Sequence, residues 1–281
     1  MVVFVFGFRM TRRLPVLARC GAALLFLLCL GACASTAAKK PPTGTPQPDK
    51  FLFDRGTEAL NAKRWVVARE YFRQLTDSYP QSPYRADAKL GLGDTYLGEA
   101  TPAADLLAAN EYREFLSYYP TSPRADYAQF KLAMASFYQM RGPERDQTQT
   151  KDAIRELQTF LQRFPNSKLR PEAEQHLREA EDRLDEFDYR VGLFYFRAHW
   201  YPGAIDRFKG VLTRDPKYTN RDALYYYLGE SLVKVARPAE ALPYFERLVE
   251  EFEQSDYLER AKKAAAEIKA QLAAKTGGGS R

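Results

Sequence analysis

The segment YPQSPYRADA at residues 79–88 is the most informative part of the sequence for the fold, because its pattern recurs along the chain. Related segments are YPTSPRADYA from Tyr119, FPNSKLRPEA from Phe164 and FEQSDYLERA from Phe252. In the first segment Pro80 stops an apolar helix, and the SP dipeptide that follows suits the N-cap and first turn of the next helix. Each segment therefore predicts a corner between two antiparallel helices, and the recurrence predicts a repeated helix pair.

The stretches between the corners have helical periodicity. Across residues 51–274 apolar residues recur at i, i+3 and i+4, and no segment alternates convincingly with a period of two. Pairs of helices in a 34-residue unit, with small residues facing an aromatic residue, are typical of the tetratricopeptide repeat. Five units fit, and the fourth fits without a gap at Gly192, Tyr195, Ala204, Phe208 and Pro216.

One departure from the repeat is shared by all five units. A bulky apolar residue stands where the repeat usually has a small one, which predicts either splayed helices or additional burial between units. These positions are Leu75, Phe115, Phe160, Val211 and Leu248.

Seventeen surplus residues, KLRPEAEQHLREAEDRL, separate the third unit from the fourth. They are good helix formers, with opposite charges at i,i+4 such as Glu174 and Arg178. They predict one helix over about 171–198, near 42 Å long, with a break at Asp185 as the alternative. We therefore expect an all-α, elongated superhelical array of about five tetratricopeptide-like helix pairs. The long helix would join units 1–3, at 51–170, to units 4–5, at 171–274, and a flexible tail would follow at 275–281.

The first 32 residues are typical of a secretory leader. Four arginines and no acid precede the apolar run at 21–30, which is too short to span a bilayer as a stable helix. Gly31 and Ala32 before Cys33 resemble the lipobox of bacterial lipoproteins. That resemblance implies cleavage after residue 32 and lipidation of Cys33, and an ordinary signal peptide with a chance cysteine is the alternative.

Removal of this leader changes the charge and cysteine balance. The whole chain has 42 basic and 36 acidic side chains, and loss of four arginines leaves 38 against 36. The excess of basic side chains, which was the main argument for nucleic-acid binding, is thereby almost removed. Cys20 and Cys29 leave with the leader, so a lipidated Cys33 leaves no thiol for a disulfide.

The proline-rich stretch that completes 33–50 has no large apolar side chain and predicts a flexible tether.

The sequence offers little for catalysis. Its two histidines, His176 in the charged long helix and His199 at a predicted turn, suit structural or exposed roles. We find no Cys–His set, no phosphate-binding glycine loop and no HExxH motif. We therefore expect no enzymatic activity, no catalytic residue, no metal and no cofactor.

A binding surface remains as the functional feature. In stacked helix pairs the first helix of each pair lines the concave side. Here that side is apolar and aromatic, which suits an extended peptide with aromatic side chains. For each residue, packing against the next unit is the alternative. The groove candidates are Phe53, Thr57, Leu90, Asp94, Tyr127 and Phe130.

These features together resemble the BamD (ComL) family, the lipoprotein subunits of the outer-membrane β-barrel assembly (BAM) machine. The likeness covers about 51–252, and RDQTQT in the third unit is its most specific element. It implies a lipid-anchored scaffold on the periplasmic face of the outer membrane. Its N-terminal units would receive unfolded outer-membrane proteins, and its C-terminal units would dock on POTRA domains of a BamA-like Omp85 insertase. Other BAM lipoproteins are further candidate partners.

The resemblance also implies a docking residue, Arg207, because the matching family position is basic and contacts a POTRA domain. Arg207 precedes Phe208, so on a helix it points away from the packing of Ala204 and Phe208. An unpaired, solvated arginine is the alternative. The whole chain could instead be another periplasmic repeat lipoprotein, one that coordinates cell-wall synthesis with division or serves as a secretion-system pilotin.

Overall fold

The structure is a computed structural model, and it describes residues 39–277. Over this range the chain forms eleven α-helices and no strand. The helices are α1 Pro48–Asn61, α2 Trp65–Ser78, α3 Arg85–Glu99, α4 Pro102–Tyr118, α5 Ala125–Phe137, α6 Thr148–Arg163, α7 Arg170–Arg197, α8 Tyr201–Arg214, α9 Arg221–Lys234, α10 Pro238–Glu251 and α11 Leu258–Gly277.

The helices form five pairs, as predicted. The pairs are α1 with α2, α3 with α4, α5 with α6, the second half of α7 with α8, and α9 with α10. Each pair also packs on the next one, so the all-α tetratricopeptide-like array is confirmed. The last helix, α11, packs on α10 and buries Ala261, Ala265 and Ile268. It covers the final pair, whose apolar face would otherwise meet water.

Contact between a glycine on the first helix and an aromatic ring on the second sets a short distance between the two helices of a unit. A Cβ added to Gly93 would lie 2.5 Å from the ring of Tyr112, and one added to Gly229 would lie 2.6 Å from the ring of Phe245. Because no real Cβ contact is that short, each ring occupies the space that a side chain would need. Gly56 and Gly192 meet Phe72 and Phe208 in the same way.

The five bulky residues at normally small positions lie in the interior, each at most 1% exposed. The structure therefore provides the additional burial that was one of the two predicted alternatives. Each such side chain contributes roughly 1.5–3 kcal/mol relative to an exposed one.

The corners are stabilised by a serine that contacts two helices. At the first corner the Ser82 hydroxyl accepts a hydrogen bond from the Tyr84 amide at 3.1 Å and donates one to the Asp49 carboxylate at 2.8 Å. The next helix begins at Arg85 rather than at residue 83, so Ser82 holds the turn before the helix. The same donation recurs from Ser167 to Asp126 at 2.6 Å, from Ser255 to Asp222 at 2.6 Å and from Thr219 to Asp182 at 2.8 Å.

The long helix α7 is continuous over 28 residues, without a break at Asp185. Its first half packs on α6 and its second half packs on α8, so one helix belongs to both groups of units.

Two of the expected boundaries were wrong. Helix α1 begins at Pro48, inside the stretch predicted as tether, and α11 continues to Gly277, inside the predicted tail.

The RDQTQT motif closes the loop before α6. The side-chain amide of Gln147, 5% exposed, donates to the carbonyls of Gly142 at 2.9 Å and Arg145 at 3.0 Å. Its carbonyl accepts from the Thr150 hydroxyl at 2.8 Å. The motif therefore holds a ten-residue loop, 138–147, in one conformation.

None of the helices within 39–277 is long and apolar enough to cross a membrane.

Candidate partner-binding surfaces

The first helices of units 1–3 place the predicted groove residues in different environments. Phe53 is half-buried, and its ring stacks on Tyr84 with centroids 5.2 Å apart and an interplanar angle of 19°. The Thr57 hydroxyl donates to the Phe53 carbonyl at 2.9 Å. Phe53 therefore combines a fixed ring orientation with partial exposure, whereas the Thr57 hydroxyl is used within its own helix.

Asp94 joins three helices of units 2 and 3. Its Oδ1 accepts from the hydroxyl of Tyr112 at 2.7 Å and from that of Tyr127 at 2.9 Å. Burial raises the pKa of Asp94, and the two tyrosine hydroxyls oppose the rise. Tyr127 is half-buried, with the guanidinium of Arg124 4.9 Å and the ammonium of Lys131 5.5 Å from its ring centroid. The site therefore presents an oriented aromatic ring beside two cations.

Two of the predicted groove residues are core residues instead. Leu90 is 1% exposed and Phe130 is 3% exposed, so neither can contact a peptide in this structure. Leu90 packs within the cluster around Tyr112, and Phe130 meets Phe160 edge-on at 5.7 Å. The reason is geometric: the first helix of each unit faces its neighbours as well as the groove, and helical spacing does not separate these two stripes.

Arg207, the predicted docking residue, lies on α8 with its side chain 46% exposed. Its Nη1 donates to Oδ1 of Asp188 on α7 at 3.1 Å, so the alternative of an unpaired arginine is wrong. The other oxygen of Asp188 accepts from Arg214 at 2.8 Å. Phe208, the next residue of the same helix, is fully buried, as the helix geometry predicted. Asp188 therefore holds the Arg207 guanidinium in place while half of the side chain remains accessible.

A network of ion pairs lies behind Arg207, where the two groups of units meet. Asp185 is 1% exposed and accepts from Nε of Arg214 at 2.9 Å. Nearby, Arg178 donates to Asp182 at 2.8 Å and to Oδ1 of Asp215 at 3.1 Å. Burial raises the pKa of Asp185 to about 6, although the hydrogen bond from Arg214 opposes the rise. The network ties α7 to the end of α8.

An exposed aromatic group at the turn of unit 4 was not predicted from the sequence. Phe194 is 66% exposed and Trp200 is 55% exposed. Trp200 meets Tyr195 edge-on at 4.6 Å and lies against Gly203, so its ring is held in place. The available signal was that both aromatic residues stand outside the core positions of the repeat.

Neither histidine takes part in a metal site. His176 packs on Phe137 with ring centroids 4.5 Å apart. His199 lies in the turn after α7, with a positive φ of 58°. Among residues 39–277 no group of His, Cys, Asp and Glu side chains is arranged to hold a metal ion. Cys33 lies outside the described residues, and its lipidation stays a prediction.

Two family models match this chain. Residues 46–232 match the family model YfiO, described as an outer membrane lipoprotein, and residues 222–255 match a tetratricopeptide repeat model. The chain is 27% identical over 221 residues to the outer membrane protein assembly factor BamD of Caulobacter vibrioides, covering 78% of this chain and 71% of that protein. It is 26% identical to the BamD of Vibrio cholerae, covering 66% and 78%. Among solved structures, the TPR2AB domain of yeast Sti1 aligns over 80% of this chain and 84% of that one, with 14% identity and a TM-score of 0.43.

Proposed function

Because this chain belongs to the YfiO family of outer-membrane lipoproteins, we infer that it is a subunit of the BAM complex that helps to fold and insert outer-membrane proteins. The observation that carries this conclusion is the family match over 46–232, which includes four of the five helix pairs in full. The relatives share the name outer membrane protein assembly factor. No finding favours a division-linked lipoprotein or a pilotin.

Association with the outer membrane follows from the family, and we propose that Cys33 carries the lipid anchor with the array facing the periplasm. The amide of Lys39 donates to the hydroxyl of Tyr71 on α2 at 3.0 Å. Five residues lie between Cys33 and Lys39, a reach of about 20 Å even when fully extended. Unit 1 would therefore lie close to the membrane. Cys33→Ala should move the protein from the membrane fraction to the soluble fraction or leave it uncleaved. Native protein that begins elsewhere without an acyl mass would contradict the anchor.

The groove of units 1–3 is proposed to receive client segments that carry aromatic residues near their C-termini. Phe53 and Tyr127 supply oriented, half-exposed rings, and Asp94 holds Tyr127 in place. The mechanism needs no chemistry, because holding a client near the insertase raises its effective concentration there.

Titration of the mature chain with a C-terminal β-barrel peptide tests this role. Binding should be saturable and should weaken when the aromatic residues of the peptide are replaced by alanine. Tyr127→Ala should weaken binding as well, whereas Tyr118→Ala, which removes an even more exposed ring from a second helix, should not. Equal affinity for the two peptides would rule out the aromatic groove.

Docking of the C-terminal units on a POTRA domain is proposed to involve Arg207. Gentle purification of the full-length protein from envelopes tests membership of the complex, and it should recover an Omp85-type insertase. Recovery of a secretin without an insertase would support the pilotin alternative instead.

A further inference from the structure

A cavity of about 910 Å³ lies between units 2 and 3, on the side of the turns that join the two helices of each unit. The end of α3 and the start of α4 form one wall, and the loop at 138–147 and the start of α6 form the other. Its lining includes Leu97, Pro102, Asp105, Tyr138, Arg141 and Asp146. Its size falls within the range of known ligand sites.

One wall of this cavity carries a buried carboxylate without a partner. Asp105 is 4% exposed, and its Oδ1 is buried without a hydrogen-bond donor among the described residues. Removing an ionised carboxylate from water without a partner is costly. Its position in the first turn of α4 gives a modest benefit from the helix dipole but no hydrogen bond. Asp105 is therefore a buried acceptor that faces an open cavity.

The cation that lines the same cavity does not compensate the charge of Asp105. Hydrogen bonds from Thr148 lower the pKa of Asp146, and the charge of Arg141 lowers it further. Burial alone raises the pKa of Asp105, with no contribution from Arg141. Among the described residues Arg141 therefore leaves the charge of Asp105 uncompensated.

The aromatic residue beside Asp105 experiences a negative field. Burial raises the pKa of Tyr138, and the charges of Glu172 and Asp105 raise it further. Tyr138 is nevertheless 59% exposed, so one part of its ring is accessible to a ligand. The negative field and the accessible ring both favour a cation.

We propose that this cavity binds the ammonium or guanidinium group of a lysine or arginine side chain that a partner polypeptide presents. Asp105 would accept charge-assisted hydrogen bonds from the cation, and Tyr138 would offer its ring to the same charge. Leu97 and Pro102 would cover the methylene groups of the side chain. This site goes beyond the proposed assembly function, and its ligand chemistry differs from that of the aromatic groove.

The probes are lysine and arginine capped as N-acetyl N-methylamides, titrated into the purified mature chain and followed by NMR. We expect saturable binding about tenfold or more tighter than that of capped norleucine, which has the same carbon chain as lysine but lacks the ammonium group. Asp105→Asn should abolish this preference. Asp146→Asn, which changes a second carboxylate of the same cavity, should keep the preference within about twofold. Equal binding of lysine and norleucine, no binding of either cation, or an unchanged preference in Asp105→Asn would each overturn the proposal.

Thermal melting without a probe gives a second, independent readout. Because Asp105→Asn removes a buried charge that has no partner, the variant should melt at a higher temperature than the parent chain. A lower melting temperature would show that the fold itself satisfies Asp105, and would overturn the proposal. Both measurements use the purified chain, so failure to recover an insertase would count against the assembly function and not against this site.

Discussion

At the scale of single residues, close contact between a glycine and a ring sets the helix separation within a unit. We expect Gly93→Ala and Gly229→Ala each to lower the free energy of unfolding by about 1–3 kcal/mol, because the added Cβ overlaps the ring of Tyr112 or Phe245. The measurement is the denaturant midpoint of each variant.

Gly210→Ala is the matched control, since Gly210 lies within α8 and an added Cβ there has no atom within 4 Å. That change should raise stability by roughly 0.5–1 kcal/mol, because alanine loses less conformational freedom than glycine in a helix. If Gly93→Ala were to stabilise the protein as Gly210→Ala does, the contact with the ring would not limit the helix separation.

Asp185 predicts an unusual pH dependence at the same scale. Its pKa is about 6 in the folded protein and near 4 in an unfolded chain. The folded state therefore binds more protons between these values, and this group adds stability as the pH falls through 6. Asp185→Asn should lack this component, while both proteins share the acid destabilisation from other carboxylates. Denaturant midpoints from pH 7 to pH 4.5 measure it, and parallel curves for the two proteins would contradict the raised pKa.

At the scale of elements, a hydroxyl-to-carboxylate bond at four of the corners fixes one unit on the next. Ser167→Ala should lower stability by about 1 kcal/mol, because it removes the bond to Asp126 at 2.6 Å. Ser122 stands at the matching place of another corner, but there Asp87 accepts from Arg124 at 3.1 Å. Ser122→Ala should therefore cost clearly less. A double-mutant cycle between Ser167 and Asp126 measures the coupling, and a coupling of zero would show that the corner does not depend on this bond.

At the scale of the whole molecule, the proposed client groove and the proposed insertase-docking face lie on different groups of units, because Tyr127 belongs to units 1–3 and Arg207 to units 4–5. Arg207→Ala should weaken binding to the periplasmic domains of the insertase by about tenfold or more, with client-peptide binding unchanged. Arg207→Glu is a poor test, because the new carboxylate would face Asp188, which now pairs with Arg207. The measurement is calorimetry with the isolated POTRA domains.

Arg55→Ala is the control for this experiment. Arg55 is also half-exposed and paired with a carboxylate, Glu58, but it lies in unit 1. Its removal should leave the affinity for the POTRA domains unchanged. If Arg207→Ala had no larger effect than Arg55→Ala, the contact would lie elsewhere on the C-terminal units, and Arg221 and Arg247 would be tested next.

The repeat and its register could be predicted from the sequence alone, whereas the continuity of α7, for which a break at Asp185 was the alternative, was established by the structure. The repeat and its register depend on contacts within one helix or between two helices of a unit, such as Gly93 with Tyr112 or the residues around Pro80. Such contacts recur at short, regular spacing, so a pattern of small, aromatic and turn-forming residues reports them directly.

The side of each first helix that remains free depends on tertiary packing and could not be predicted from the sequence. Leu90 and Phe130 follow the same spacing as Asp94 and Tyr127, yet the stacking of neighbouring units buries the first two and leaves the others half-exposed. Tertiary packing also brings Arg207 within hydrogen-bond distance of Asp188 and buries Asp185 where the two groups of units meet. The same packing leaves Asp105 in the wall of a cavity without a hydrogen-bond donor among the described residues. Each of these outcomes depends on how far one unit is rotated relative to the next. That rotation results from packing between residues that are distant in sequence, so the local periodicity of apolar residues does not predict it.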